Sequence, residues 1–134
     1  MSMSKTSTDL TRRVSVSSLE DGAFEWTNSA AHGRLRRDGP EAVRAVDLLL
    51  ASLGICVADA IRDYAESHGV EGLKCVFIEV FGHEAISPSR LATATVEIAV
   101  EGEISLDDVI RLKRAGEHCK IHTTLAAGVI VRLV

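Results

Sequence analysis

"LLLASLGICVADAI", residues 48 to 61, is the stretch on which the fold turns. Nearly every position is apolar or small. A helix that is apolar all round has no face to offer water, so this one is expected to be buried on most sides. Asp47 and Asp59 bracket its apolar centre, which is shorter than the roughly 20 residues a membrane-spanning helix needs. Cys56 sits near the middle, two residues after Gly54. Glycine in a helix interior costs roughly 1 kcal/mol relative to alanine. A glycine kept there implies that something approaches the backbone, either another packed element or a ligand. Cys56 itself reads in two ways: as a small buried hydrophobe, or as a reactive thiol.

The helix is expected to run over 42–68 and to stop at Gly69, a favourable C-terminal residue. Upstream, "RVSVSSLEDGAFEWTN" (13–28) alternates weakly around the turn signal Glu20–Asp21–Gly22 and reads as a β-hairpin. A further short strand is expected over 32–37. Downstream, "LKCVFIEVFGHE" (73–84) places Val76, Ile78 and Val80 on one face and Cys75, Phe77 and Phe81 on the other. "LATATVEIAVEGE" (91–103) turns Val96, Ile98 and Val100 inward, and the two runs form a second antiparallel hairpin. Ser105 with Asp108 three residues on resembles a capping box. The helix it opens is expected to bury Leu106, Val109, Ile110 and Leu112. A helical turn over 120–126 and a closing strand, "GVIVRLV" (128–134), complete an α+β chain with antiparallel pairing.

Length and composition set the outer limits. The chain has 134 residues, of which 46% are hydrophobic and 4% aromatic, so one domain with an aliphatic core is expected. We place it over 10–134, after a loose Ser/Thr-rich tail at 1–9. A formal charge of −4 argues against a general nucleic-acid binder. "MSMSKTSTDLTRR" has no apolar signal core, so a cytoplasmic protein with reduced thiols is expected, with no membrane association. A helix apolar on every side needs more cover than so short a chain provides. A homodimer with the helix at or near the interface is therefore expected.

"EHCKIHTTL" (117–125) supplies a second cysteine, Cys119, between His118 and His122. A thiol at a helix N-terminus meets unpaired N–H groups and the positive end of the dipole, which lower its pKa. Protonated histidines would add to that effect. A loop cysteine between surface histidines is the plainer reading. Cys119 and His122 share a helical face, but a structural zinc site wants four ligands, and no second pair is evident. Cys75 reads as packing, in the core or half-exposed, without a role.

Together, "VDLLLASLGIC" (46–56) and "HCKIHTTL" (118–125), with a hairpin between them and cysteines 63 residues apart, resemble the OsmC/Ohr family of osmotically induced and organic-hydroperoxide-resistance proteins. The resemblance covers most of the chain from about residue 12. It implies an intertwined homodimer with antiparallel sheets wrapped around long, buried central helices. It also implies that Cys56 is the peroxidatic cysteine and Cys119 the resolving one, that no cofactor or metal is needed, and that an external dithiol, a lipoyl protein or a thioredoxin-like protein, restores the thiols. Leu50, Leu53, Val57 and Ile61 are the expected lining for an apolar peroxide, and Gly54 would leave room beside the thiol. The family activates its thiol with an arginine held by a carboxylate. Asp47 matches the acidic position, where glutamate is usual. Arg13, Arg34, Arg36, Arg37 and Arg44 are the candidate arginines; none of them sits in the family's arginine motif, and Arg36 stands as the site candidate. Asp47 and Cys56 are half a turn out of phase at about 100° per residue, so Asp47 would serve Cys56 of the partner subunit or act through a long arginine. Ala45 and Lys120 stand where the family typically has prolines. The expected function is reduction of organic hydroperoxides. A dimer that binds small apolar ligands or senses redox state, with weak or no peroxidase activity, is the alternative.

Overall fold

A computed structural model describes residues 11–134. The expected loose tail at 1–9 lies outside the described residues. The chain forms two compact units that divide after Arg44.

The first unit is a three-stranded antiparallel sheet of β1 (Ser15–Ser18), β2 (Ala23–Thr27) and β3 (His32–Arg36), in that order. Its two turns follow from short polar side chains that bond their own backbone. Asp21 Oδ1 accepts the N–H of Ala23 at 3.0 Å before Gly22, whose φ of 85° suits glycine. Asn28 Oδ1 accepts the N–H groups of Ala30 and Ala31 at 2.8 and 2.7 Å. Both the hairpin and the short third strand are as the sequence predicts.

The second unit starts with helix α1, Ala45–Ser67. It begins three residues later than expected, because the chain just before it is tied to β3. Val43 donates to the Arg36 carbonyl at 3.0 Å, and Ala42 donates to that of Gly39 at 3.2 Å. Gly69, with φ of 66°, ends the helix, and Val70 donates back to the Ala65 carbonyl at 2.9 Å. That bond satisfies one of the orphan carbonyls of the last turn.

Within the single chain, the intrachain contacts of α1 bury one of its faces. One stripe at every fourth residue is buried: Leu53, Val57, Ile61 and Ala65. Leu48, Leu49 and Ile55 are 44%, 38% and 63% exposed in the single chain. The stripe is single because the sheet and helices of this unit cover one side of α1.

Strands β4 (Leu73–Ala85) and β5 (Arg90–Gly102) form the second hairpin. Val76 pairs with Val100, Ile78 with Ile98 and Val80 with Val96, and all six pack against the buried stripe. Cys75, Phe77 and Phe81 lie on the other, exposed face. Helix α2 (Leu106–Ala115) opens with Ser105 Oγ accepting the Asp108 N–H at 3.2 Å, the cap that the sequence predicts. Its buried stripe is narrower than expected. Leu112 is fully buried, whereas Leu106 and Ile110 are 74% and 47% exposed. A 3-10 turn (Gly116–His118) leads into α3 (Lys120–Ala127).

Residues 128–134 were expected to close the chain as a strand. They have no regular structure, and their apolar side chains are exposed. A strand exists only where a neighbour supplies carbonyl and N–H partners, and the ladders of the described strands offer this segment none.

Candidate functional site

Two sequence elements meet at the sulfurs. Cys56 lies mid-way along α1, half-buried beside the stripe that holds Leu53 and Val57. Cys119 lies between the 3-10 turn and α3 and is 3% exposed. Folding closes the 62 residues between them, and all three cysteines are free thiols.

The start of α3 is what brings the sulfurs together. Cys119 is the N-cap of α3, and its Sγ accepts the His122 N–H at 3.3 Å. The next free donor, the Ile121 N–H, points to Cys56 Sγ at 3.4 Å. One helix N-terminus therefore offers an N–H to each sulfur, where unpaired donors and the helix dipole favour negative charge. Thr123 reinforces the turn, its N–H and its Oγ1–H both bonding the Cys119 carbonyl, at 3.0 and 3.1 Å.

The pKa of Cys119 is nevertheless raised, which corrects the expectation of a lowered one. Burial is the largest cause, because a thiolate loses its hydration there. The Cys56 sulfur, close enough to interact, raises it further. The N–H groups of His122 and Ile121 pull the other way and do not prevail. Cys119 thus holds its proton more tightly than an ordinary thiol does.

His122 contributes by a route the sequence does not display. Its ring Nδ1 lies 2.9 Å from the Glu117 carbonyl oxygen. A carbonyl only accepts, so Nδ1 carries a proton and donates it. The ring faces a cleft of about 640 Å³ whose apolar wall includes Leu53, Val57, Val96, Ile98 and Leu125, with Lys113 and Glu117 also lining it. His118 lines a different cleft, with Arg111, Arg114 and Tyr64.

The predicted lining residues separate. Leu53 and Val57 face the first cleft; Leu50 and Ile61 do not. Ile61 is fully buried, and Leu50 lies against the open face of Gly82 on β4. The role expected of Gly54 is also corrected. A methyl group there would meet Val80 Cγ2 at 3.4 Å and Ile78 Cγ2 at 3.6 Å. The glycine therefore faces strand β4, and the close approach it permits is helix against sheet. Cys75, expected in the core or half-exposed, is exposed on the outer face of the hairpin.

Asp47 stands in the first turn of α1. Nine residues of helix place it about 13 Å along the axis from Cys56 and on the opposite side. Arg36 belongs to the first unit, where its guanidinium pairs with Asp38 at 3.5 Å, both side chains being well exposed. Arg34 pairs with Asp21 and, at 3.6 Å, with Glu25. Among the described residues, no group of three or more His, Cys, Asp or Glu side chains converges as a metal site would require. No described helix is long and apolar enough to cross a membrane.

Solved structures share this arrangement of elements. An OsmC-like protein from Mycoplasma pneumoniae superposes with a TM-score of 0.74 at 14% identity, over 88% of this chain and 89% of the other. The chain has the OsmC/Ohr fold. An OsmC-like protein of unknown function from Vibrio cholerae gives a TM-score of 0.72 at 12% identity, over 87% and 94%. The organic hydroperoxide resistance protein OhrB of Bacillus subtilis gives 0.60 at 16% identity, over 90% and 93%. No protein-family model and no curated protein matches the sequence. The OsmC/Ohr fold is thus established by backbone geometry, and the chemistry must be argued from the thiols.

Proposed function

We propose that this chain is a cysteine-based peroxidase that reduces organic hydroperoxides. One observation carries the reading. Two cysteines far apart in sequence meet beside one helix N-terminus, each receiving an N–H from it. The thiolate of Cys56 attacks the distal peroxide oxygen. The O–O bond breaks, an S–O bond forms, and the alkoxide leaves as an alcohol after taking a proton. Cys56 is then a sulfenic acid. Cys119 attacks that sulfur; an S–S bond forms, the S–O bond breaks, and water leaves. An external dithiol, borne on a lipoyl or thioredoxin-like protein, reduces the disulfide by exchange and is itself oxidised. No cofactor takes part.

The raised pKa of Cys119 suits this order. Its proton is held partly by the Cys56 sulfur, the atom it is proposed to attack. Leu53 and Val57, neighbours of Cys56 on α1, are proposed to favour alkyl or aryl peroxides. Asp47 and Arg36 are proposed to supply the activating charge in a cytoplasmic homodimer, with Asp47 serving Cys56 of the partner subunit. The exposed Leu48, Leu49 and Ile55 give such a partner an apolar face to cover.

The test is one equivalent of cumene hydroperoxide followed by mass spectrometry. A disulfide between Cys56 and Cys119, lost in Cys56→Ser together with peroxide consumption, is the expected result. Retention of both thiols refutes the proposal. It would favour a second reading, a dimer that binds small apolar ligands. One observation supports that alternative: neither sulfur lines the apolar cleft.

A further inference from the structure

Residues 117–123 close a loop around Cys119, and one side-chain bond spans it. The His122 ring donates from Nδ1 to the Glu117 carbonyl at 2.9 Å, across the 3-10 turn and the N-cap. From the same residue the backbone N–H reaches Cys119 Sγ at 3.3 Å. The adjacent N–H, of Ile121, reaches Cys56 Sγ at 3.4 Å. His122 thus joins the strand of chain entering Cys119 to the helix leaving it, and the helix start it fixes is the one that touches both sulfurs. The 3-10 turn has no side-chain cap of its own, so this ring supplies a restraint the turn otherwise lacks.

We propose that His122 is a latch that sets the ease with which Cys56 and Cys119 close into a disulfide. It is a positioning residue acting through Cys119. The inference deepens the peroxidatic and resolving assignment and rests on it. The physical argument is preorganisation. A thiol whose loop is already closed loses less freedom when the S–S bond forms, so the effective concentration of Cys119 at Cys56 is higher.

The chemistry of position 122 supplies a discriminating set of variants. Asparagine places an N–H donor on the atom equivalent to Nδ1, one bond from Cγ. Aspartate has the same shape but presents only acceptors to the Glu117 carbonyl. Position 122 is also in the first turn of α3, where a carboxylate favours the helix through its dipole. A purely helix-stabilising role therefore predicts that His122→Asp is benign, whereas a latch predicts that it fails.

The experiment equilibrates the full-length protein in glutathione redox buffers and measures the fraction of the Cys56–Cys119 disulfide by thiol alkylation and mass spectrometry. No peroxide is involved. His122→Ala and His122→Asp are expected to lower the closure constant about fivefold, the effect of losing one intramolecular hydrogen bond, and His122→Asn to restore it. Circular dichroism of each variant shows whether the fold is retained. Equal closure constants in all four proteins overturn the latch, as does an aspartate variant that closes like the wild type. A wild type that forms no such disulfide in any buffer overturns both the latch and the peroxidase reading. Normal closure with the expected variant pattern, but no consumption of peroxide, refutes the peroxidase reading and keeps the latch.

Discussion

Gly54→Ala separates two explanations of a glycine two residues from a thiol. If the gap served Cys56, a methyl group would obstruct chemistry there. The structure places the gap against β4, where the added carbon would lie 3.4 Å from Val80 Cγ2 and 3.6 Å from Ile78 Cγ2. These are ordinary van der Waals separations, so little has to move. Alanine then recovers most of the roughly 1 kcal/mol that glycine costs in a helix interior, less a small cost for the tightest contact. The expected outcome is a gain of about 0.5–1 kcal/mol, seen as a rise in the melting temperature of about 2–4 °C. Urea unfolding should show a higher midpoint with an unchanged slope. The second-order rate of Cys56 with cumene hydroperoxide should stay within about twofold of wild type, below about 0.5 kcal/mol in barrier. A loss of more than about 1 kcal/mol, or a tenfold fall in the rate, would refute the helix-against-sheet account.

Gly116→Ala should act in the opposite sense. Its methyl group would stand 3.0 Å from Val57 Cγ1 and 3.3 Å from Ile98 Cδ1 in a buried position, so urea melts should show a loss of about 1–3 kcal/mol. Leu112→Ala removes one of the two largest fully buried side chains and should cost about 2–5 kcal/mol by the same assay. The raised pKa of Cys119 predicts a pH dependence whose sign follows from linkage. Between the ordinary thiol range and the higher folded value, the unfolded chain releases a proton that the native state keeps. Stability of the reduced protein should therefore be level below the ordinary thiol value of about 8.5 and fall as pH rises above it, and Cys119→Ser should flatten that fall. An equal slope in Cys119→Ser would show that burial of this thiol is not its source.

The regular elements were legible because their patterns are local. Alternation in 73–84 and 91–103 set both strands and their inward faces, since side chains in a strand have a period of two. Ser105 announced its helix through a bond three residues long. What failed was whatever depended on cover from elsewhere. An apolar run such as 48–61 states that burial is wanted and leaves open which faces receive it. The neighbours chose the Leu53, Val57, Ile61 and Ala65 stripe. "GVIVRLV" has the composition of a strand, but a strand is a property of a pair.

The site divides in the same way. The residue types and the two motifs singled out Cys56 and Cys119 from sequence, because thiol chemistry belongs to the residue itself. Their meeting belongs to the tertiary structure, since the intervening hairpin has to fold back before Ile121 can donate to Cys56. Tertiary structure also decided the direction of the Cys119 pKa. The helix N-terminus, visible in sequence, lowers it, and burial, which is not visible, outweighs that effect. It decided that Gly54 faces β4 and that His122 bonds the Glu117 carbonyl. Local pattern carries what one segment does with its own atoms. Desolvation and contact depend on which other segments arrive, and only the folded chain determines that.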